Sequence, residues 1–374
     1  MQPYSLMRVG GIRIVIDPTW VLVFLLVIGS IGTDYLPVAA PQLPVLTSWL
    51  LAVLAALLLF GSVLVHELSH AFLARRAGIP VPRIRLFLFG GVAEMAAEPH
   101  EPRAELRIAA AGPLTSLAIA ALGFAGTVAL EGTKPSGARA LVEYLAVANL
   151  LLGLFNLLPG LPLDGGRILR ALLWWHHGNL LRATRTAGRS GAVMGWLLAA
   201  LGLVRVVFGG WLGGLWLVII GLFLNRAAMA TTESSLLRES LRGARVRQLM
   251  TRDVVTVPDH ISLDEMVRDI ALQRPFAAYP VVAGDQYAGM IGLDQVRRVA
   301  REEWVRTPVR QVMTVATLAP PVTPDDEVLA VLERMLREDQ SLIGVVVEGR
   351  VTGVIARIDI LELYRVRSTL GAAE

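Results

Sequence analysis

Apolar positions fill long stretches of the first 230 residues and then give way to shorter apolar segments of mixed charge. A helix that crosses bilayer hydrocarbon needs about 20 apolar residues. By that measure the pattern predicts spans near residues 19–37, 46–76, 106–130, 140–173, 190–208 and 210–229. Two stretches follow a different period. In RVGGIRIVID, residues 8–17, Ile12, Ile14 and Ile16 alternate with Arg13 and Val15, which predicts a strand at the membrane surface. In PRIRLFLFGGVAEM, residues 82–95, the pattern predicts a second strand pair that turns at Gly90 and Gly91.

After residue 244 the chain repeats itself. VRQLMT at 246–251 returns as VRQVMT at 309–314, and YPVVAGDQYAGMIG at 279–292 returns as IGVVVEGRVTGVIA at 343–356. Each copy reads strand, helix, strand, hairpin, strand, helix. The expected organisation is a membrane domain over 1–230, a linker over 231–243 and a tandem α/β domain over 244–374. The predicted fold class is an α-helical polytopic membrane protein of about six spans with short membrane-associated β segments, followed by a C-terminal α/β repeat pair.

Composition sharpens this picture. Of 374 residues, 54% are hydrophobic, above the 45–50% usual for soluble domains. There is no cysteine, which excludes disulfides, thiolate catalysis and thiolate metal sites, so a metal here takes nitrogen or oxygen ligands. The net charge of +4 is small and its arginines follow membrane topology, so no nucleic-acid partner is expected. The loop after the first span holds Asp34 and no basic residue, whereas the loop after the second holds Arg75, Arg76, Arg83, Arg85 and Arg103. The loop after the fourth is basic too, with Arg167, Arg170, Arg182, Arg185 and Arg189 counted into it. This asymmetry predicts a multi-pass cell-membrane protein with both termini and the repeat domain cytosolic. The first residues lack a cleavage-like site, so the first apolar segment is expected to stay in the mature protein.

The second span contains VHELSH, residues 65–70, which puts two histidines and a glutamate into apolar surroundings. His66 and His70 are four apart, so a helix carries them on one face, one turn apart, where both can reach one zinc ion. Glu67 stands beside them, in the His-Glu-x-x-His arrangement whose glutamate acts as general base on a metal-bound water. The remaining histidines suit other roles: His100 lies in a charged loop, His176 and His177 follow two tryptophans, and His260 is in the repeat domain. A catalytic zinc needs a third protein ligand. FNLLPGLPLDGGRILR, residues 155–170, offers Asp164 after Pro159 and Pro162, which should break the helix at membrane depth. Asp164 also suits a helix N-cap, and it is the two-histidine site lacking a carboxylate that favours the ligand.

The pairing of HELSH with NLLPGLPLDGGR resembles the site-2 protease family of intramembrane zinc metalloproteases, in its subclass with a six-span core. The repeat over 244–366 resembles a pair of CBS motifs. The resemblance implies that His66, His70 and Asp164 hold one zinc per chain, that Glu67 is the catalytic acid/base, and that Asn156 binds the scissile peptide or its oxyanion. It also matches FGGVAEM, with Gly90 and Gly91, to a reentrant hairpin that meets substrate, and AAGPLTS, around Gly112 and Pro113, to a third-span signature. The implied substrate is a membrane-spanning regulatory protein. CBS motifs often bind adenine nucleotides through a hydroxyl residue and an aspartate after the last strand. Here Asp359 is present, but Ala356 and Gly292 replace the hydroxyls and Asp294 comes one residue early. These departures shift the expectation to a homodimerising or gating surface. A transporter or channel gated by the repeat pair is the competing class, with the buried ionisable residues as an ion path.

Overall fold

The computed structural model describes residues 4–87, 90–130 and 137–370 and divides into two units, Met1–Glu233 and Ser234–Glu374. Among the described residues, six helices are long and apolar enough to cross a membrane: Thr19–Ala39, Val45–Arg76, Pro102–Ala129, Gly137–Asn156, Leu180–Val207 and Gly213–Leu241.

The first unit opens with a hairpin, β1 (Tyr4–Val9) and β2 (Ile12–Ile16), where the sequence pattern predicts a single strand over 8–17. The alternation is broken by Gly10 and Gly11, whose φ angles of +56° and +84° suit the left-handed turn a two-residue hairpin needs. The chain then crosses twice. The first crossing is α1 (Thr19–Ser30), which runs by a π-helical turn at Ile31–Tyr35 into α2 (Leu36–Ala39), and the second is α3 (Val45–Arg76). There β3 (Arg83–Phe87) pairs parallel to β2, and β4 (Gly90–Glu94) pairs antiparallel to β3. The predicted turn at Gly90 and Gly91 is shifted. Both glycines already belong to β4, opposite Phe87 and Leu86, and Leu88 and Phe89 lie outside the described residues. In this sheet, of order β1-β2-β3-β4, Ile14, Ile84 and Leu86 pack on Ala71 and Ala74 of α3.

The membrane helices invert the soluble pattern: large apolar side chains such as Leu25, Leu122 and Leu201 are exposed, and small ones face inward. On α3 the buried residues are alanines, Ser62, His66 and His70, as expected where helices associate through close backbone approach. α4 (Pro102–Ala129) and α5 (Gly137–Asn156) pack beside α3. The span predicted over 140–173 is not continuous. α5 ends at Asn156, a loop follows, and α6 (Asp164–His177) begins anew. Pro159, Gly160 and Pro162 account for the break, since proline removes backbone donors and glycine disfavours helix. The loop is pinned to α7 (Leu180–Val207): Leu161 N–H donates to Ala187 O at 3.1 Å, and a side chain at Gly191 would collide with the Leu161 carbonyl. The stretch expected to act as a linker, 231–243, is largely the end of α8 (Trp211–Leu241).

The second unit holds β5 (Val257–Pro258), β6 (Ala278–Ala283), β7 (Gln286–Gly292) and β8 (Thr314–Val315) in one sheet, and β9 (Leu342–Val347) with β10 (Arg350–Ala356) in another. The two repeats interlock. Val246, from the opening segment of the first, packs with Ile343, Val345 and Ile355 of the second; Val309, from the opening segment of the second, packs with Tyr279, Val281 and Ile291 of the first.

Candidate active site

His66 and His70 leave α3 on one face and are 3% and 4% exposed. Their ring nitrogens are divided between two tasks. His66 Nδ1 is 2.9 Å from Ser116 Oγ, and His70 Nδ1 donates to the Ile108 carbonyl at 2.6 Å. Both partners belong to α4, whose backbone passes close because position 112 is glycine: a Cβ there would collide with both Nε2 atoms. With Nδ1 engaged, each Nε2 points inward.

Asp164 is the first residue of α6, and Leu163 occupies the cap position without a side-chain hydrogen bond. The aspartate carboxylate does not cap the helix. Its Oδ2 lies 3.3 Å from His66 Nε2 and 3.2 Å from His70 Nε2. Gly165 and Gly166 allow this start, because a Cβ at either would strike the preceding loop, at Leu157–Leu158 and Gly160–Leu161 respectively. Among the described residues, His66, His70 and Asp164 bring together one ligand atom each within 4.8 Å.

The donor set suits zinc on three counts. It is nitrogen and oxygen only; both histidines are oriented by outer partners; and ligand atoms around a tetrahedral zinc with bonds of about 2.0–2.1 Å stand about 3.3 Å apart. Glu67 faces the same space. The Ala93 N–H of β4 donates to its carboxylate, and Gly91 passes so close that a Cβ would overlap the Glu67 side chain. A cavity of about 160 Å³ lies between these elements, lined by Glu67, His70, Gly91, Asn156, Asp164 and Arg167 among others. Asn156, at the end of α5, reaches the cavity while its Nδ2 donates to Leu152 O at 3.0 Å. Gly90 stands at the hairpin end of β4 and is not among the lining residues.

Four features of the site receive no role at the site from the sequence alone. Ser116 and the Ile108 carbonyl are 50 and 38 residues from their histidines. Gly112 and Ser116 stand out only as members of the AAGPLTS signature, and Arg167 only as the end of NLLPGLPLDGGR and as a topological charge. Contact across the fold reveals them.

In the second unit, a cavity of about 230 Å³ lies between the repeats, lined by Thr251, Asp253, Ala278, Ala356 and Asp359 among others. Asp359 therefore lines a cavity, while Ala356 presents a methyl group there.

Known proteins resemble this chain along nearly its whole length. The profile of Peptidase family M50 matches residues 54–138 and 131–200, and that of the CBS domain matches 246–302 and 309–366. Rip3 of Mycobacterium tuberculosis, a protein assigned as a zinc metalloprotease, is 38% identical over 362 residues, covering 96% of this chain and 92% of its own. The zinc metalloprotease MJ0392 of Methanocaldococcus jannaschii is 29% identical over 360 residues, covering 95% and 94%. Among solved structures, the site-2 protease from Methanocaldococcus jannaschii is 32% identical and covers 62% of this chain and 95% of that one, with a TM-score of 0.42. The chain belongs to peptidase family M50, the site-2 protease family of intramembrane zinc metalloproteases, in the form that carries a C-terminal CBS pair.

Proposed function

We propose that this chain is a zinc endopeptidase that cuts membrane-spanning regulatory proteins within the bilayer, holding one zinc per chain on His66, His70 and Asp164. The observation that carries the reading is the convergence of both Nε2 atoms on one Asp164 oxygen, inside a cavity that Glu67 also lines. When bound, zinc supplies a coordinated water of lowered pKa and polarises the scissile carbonyl. Glu67 takes the proton of the attacking water on its carboxylate and passes it to the leaving amine nitrogen. Ser116 and the Ile108 carbonyl keep the two imidazoles in the tautomer that leaves Nε2 free to bind metal. Asn156 holds the scissile peptide by its side-chain amide.

A substrate helix must unwind to be cut, since its peptide groups are bonded to one another. The outer edge of β4 is where the extended segment pairs, with Gly90 and Gly91 leaving the strand bare of side chains that would block it. The positive-inside asymmetry supports cytosolic termini and a site opening toward the cytosol, about 9 Å by helix rise from the end of α3. The functional division is 1–230 for the protease, 231–243 for the linker and 244–374 for the CBS pair. That pair serves as a regulatory or homodimerising module. Its 230 Å³ cavity is where an adenine nucleotide would sit, and Ala356 in place of a hydroxyl weighs toward the dimerising role.

Zinc content of the detergent-purified protein, measured by elemental mass spectrometry, tests the reading. Wild type is expected near one zinc per chain, Asp164→Ala well below it, and Glu67→Gln unchanged in zinc but slower in peptide hydrolysis by about 10²-fold or more. A wild type that holds no zinc after repletion would overturn it.

A further inference from the structure

We propose that Arg167 contacts substrate, donating from its guanidinium to the carbonyl oxygen of the peptide bond being cut and to the negative charge that develops there. This rests on the reading of Asp164 as a metal ligand. Helix α6 carries Asp164, Arg167 and Arg170 at intervals of three, so the two arginines follow the aspartate on successive turns. Their surroundings differ sharply.

Arg170 is 4% exposed and fully committed. Its Nε donates to Glu105 Oε1 at 2.7 Å, its Nη2 donates to the same oxygen, and its Nη1 lies 3.4 Å from Glu98. Glu105, wholly buried, stands in the first turn of α4. The pair ties α6 to the helix that supplies Ile108, Gly112 and Ser116. Arg170 is thus an anchor with no capacity to spare.

Arg167 lines the cavity beside Glu67, Asn156 and Asp164; it interacts with the Asp164 carboxylate through its charge, and among the described residues its guanidinium makes no hydrogen bond and no close ion pair. A guanidinium carries five N–H donors and no acceptor. Arg167 is half-buried beside two carboxylates that it does not hydrogen-bond, so its donors are still available to a substrate that brings acceptors. A locally unwound substrate does so, because each peptide group released from its helix presents a free carbonyl oxygen. Asn156 already donates to Leu152 O from its amide nitrogen, which leaves Arg167 as the less committed donor. A fixed cation held on a rigid helix stabilises a developing oxyanion most where water is scarce.

The test uses the zinc-loaded, full-length protein in detergent. Its probe is an N-phosphoryl dipeptide, whose tetrahedral phosphoryl oxygens stand where those of the attacked carbonyl would. Calorimetric titration of Arg167→Met is expected to show binding weakened about tenfold or more relative to wild type, with zinc content unchanged. Arg167→Lys keeps the charge without the planar fork and is expected to fall between the two; it also serves if the methionine variant does not fold. Unchanged binding in both variants at full zinc content overturns the proposal, as does a zinc-loaded wild type that does not bind the probe. Asp164→Ala is measured alongside. Retention of zinc by that variant overturns the metal-ligand reading instead, and so separates the two failures.

Discussion

Each of the two histidines uses both ring nitrogens, one toward α4 and one toward Asp164. Helical spacing alone places His66 and His70 on a common face, so this half of the site is legible in five consecutive residues. The other half is not, since Ser116, the Ile108 carbonyl and the room left at Gly112 meet the histidines only when α4 packs across α3. Gly112 makes the sharpest residue-scale prediction. A methyl group there would overlap both Nε2 atoms, so Gly112→Ala is expected to lower zinc content at least tenfold while leaving the helical content of circular dichroism intact. A fully metallated alanine variant would show that the α3–α4 contact can open to admit a methyl group.

At the scale of elements, periodicity identified strands and helices but misplaced what interrupts them. The 8–17 pattern reads as one strand because Gly10 and Gly11 carry no hydropathy signal, although they are the residues that turn the chain. The 140–173 run reads as one span because its proline-containing break is itself apolar. Parallel pairing of β2 with β3 is a further step beyond local pattern, for it joins strands separated by two membrane crossings. An ion pair fastens this junction: Arg85 Nη2 of β3 lies 2.6 Å from Asp17 Oδ2, just after β2. The hydrogen bond from Arg85, helped by Thr19, lowers the Asp17 pKa from 3.8 to about 2. Because the folded value lies below the unfolded one, the stabilisation is present above about pH 4 and is lost as pH falls through 2. The Tm difference between wild type and Asp17→Asn is therefore expected to stay constant from pH 7 to about 5 and to close toward pH 2. A gap independent of pH down to 2 would assign the effect to packing.

At the scale of the whole molecule, the internal repeat invites the view that each copy is a folding unit. The cores say otherwise, since Val246 and Val309 each complete the core of the opposite repeat. Residues 234–374 expressed as one piece are expected to unfold in a single cooperative transition. Residues 246–302 alone are expected to lack one, because the first core then loses Val309; a cooperative thermal melt of that fragment would refute the interlock. The sequence by itself determined the six apolar runs, the repeat, and the residue types able to hold zinc, because hydropathy, periodicity and ligand chemistry are local properties of the chain. Only the tertiary structure decided that Asp164 turns to the histidines and not to its own helix end. It alone decided that Arg170 is spent on Glu105 while Arg167 faces the cavity, and that each repeat borrows a core residue from the other. These outcomes depend on which helices and strands come into contact, and residues tens of positions apart carry no mark of that in their spacing.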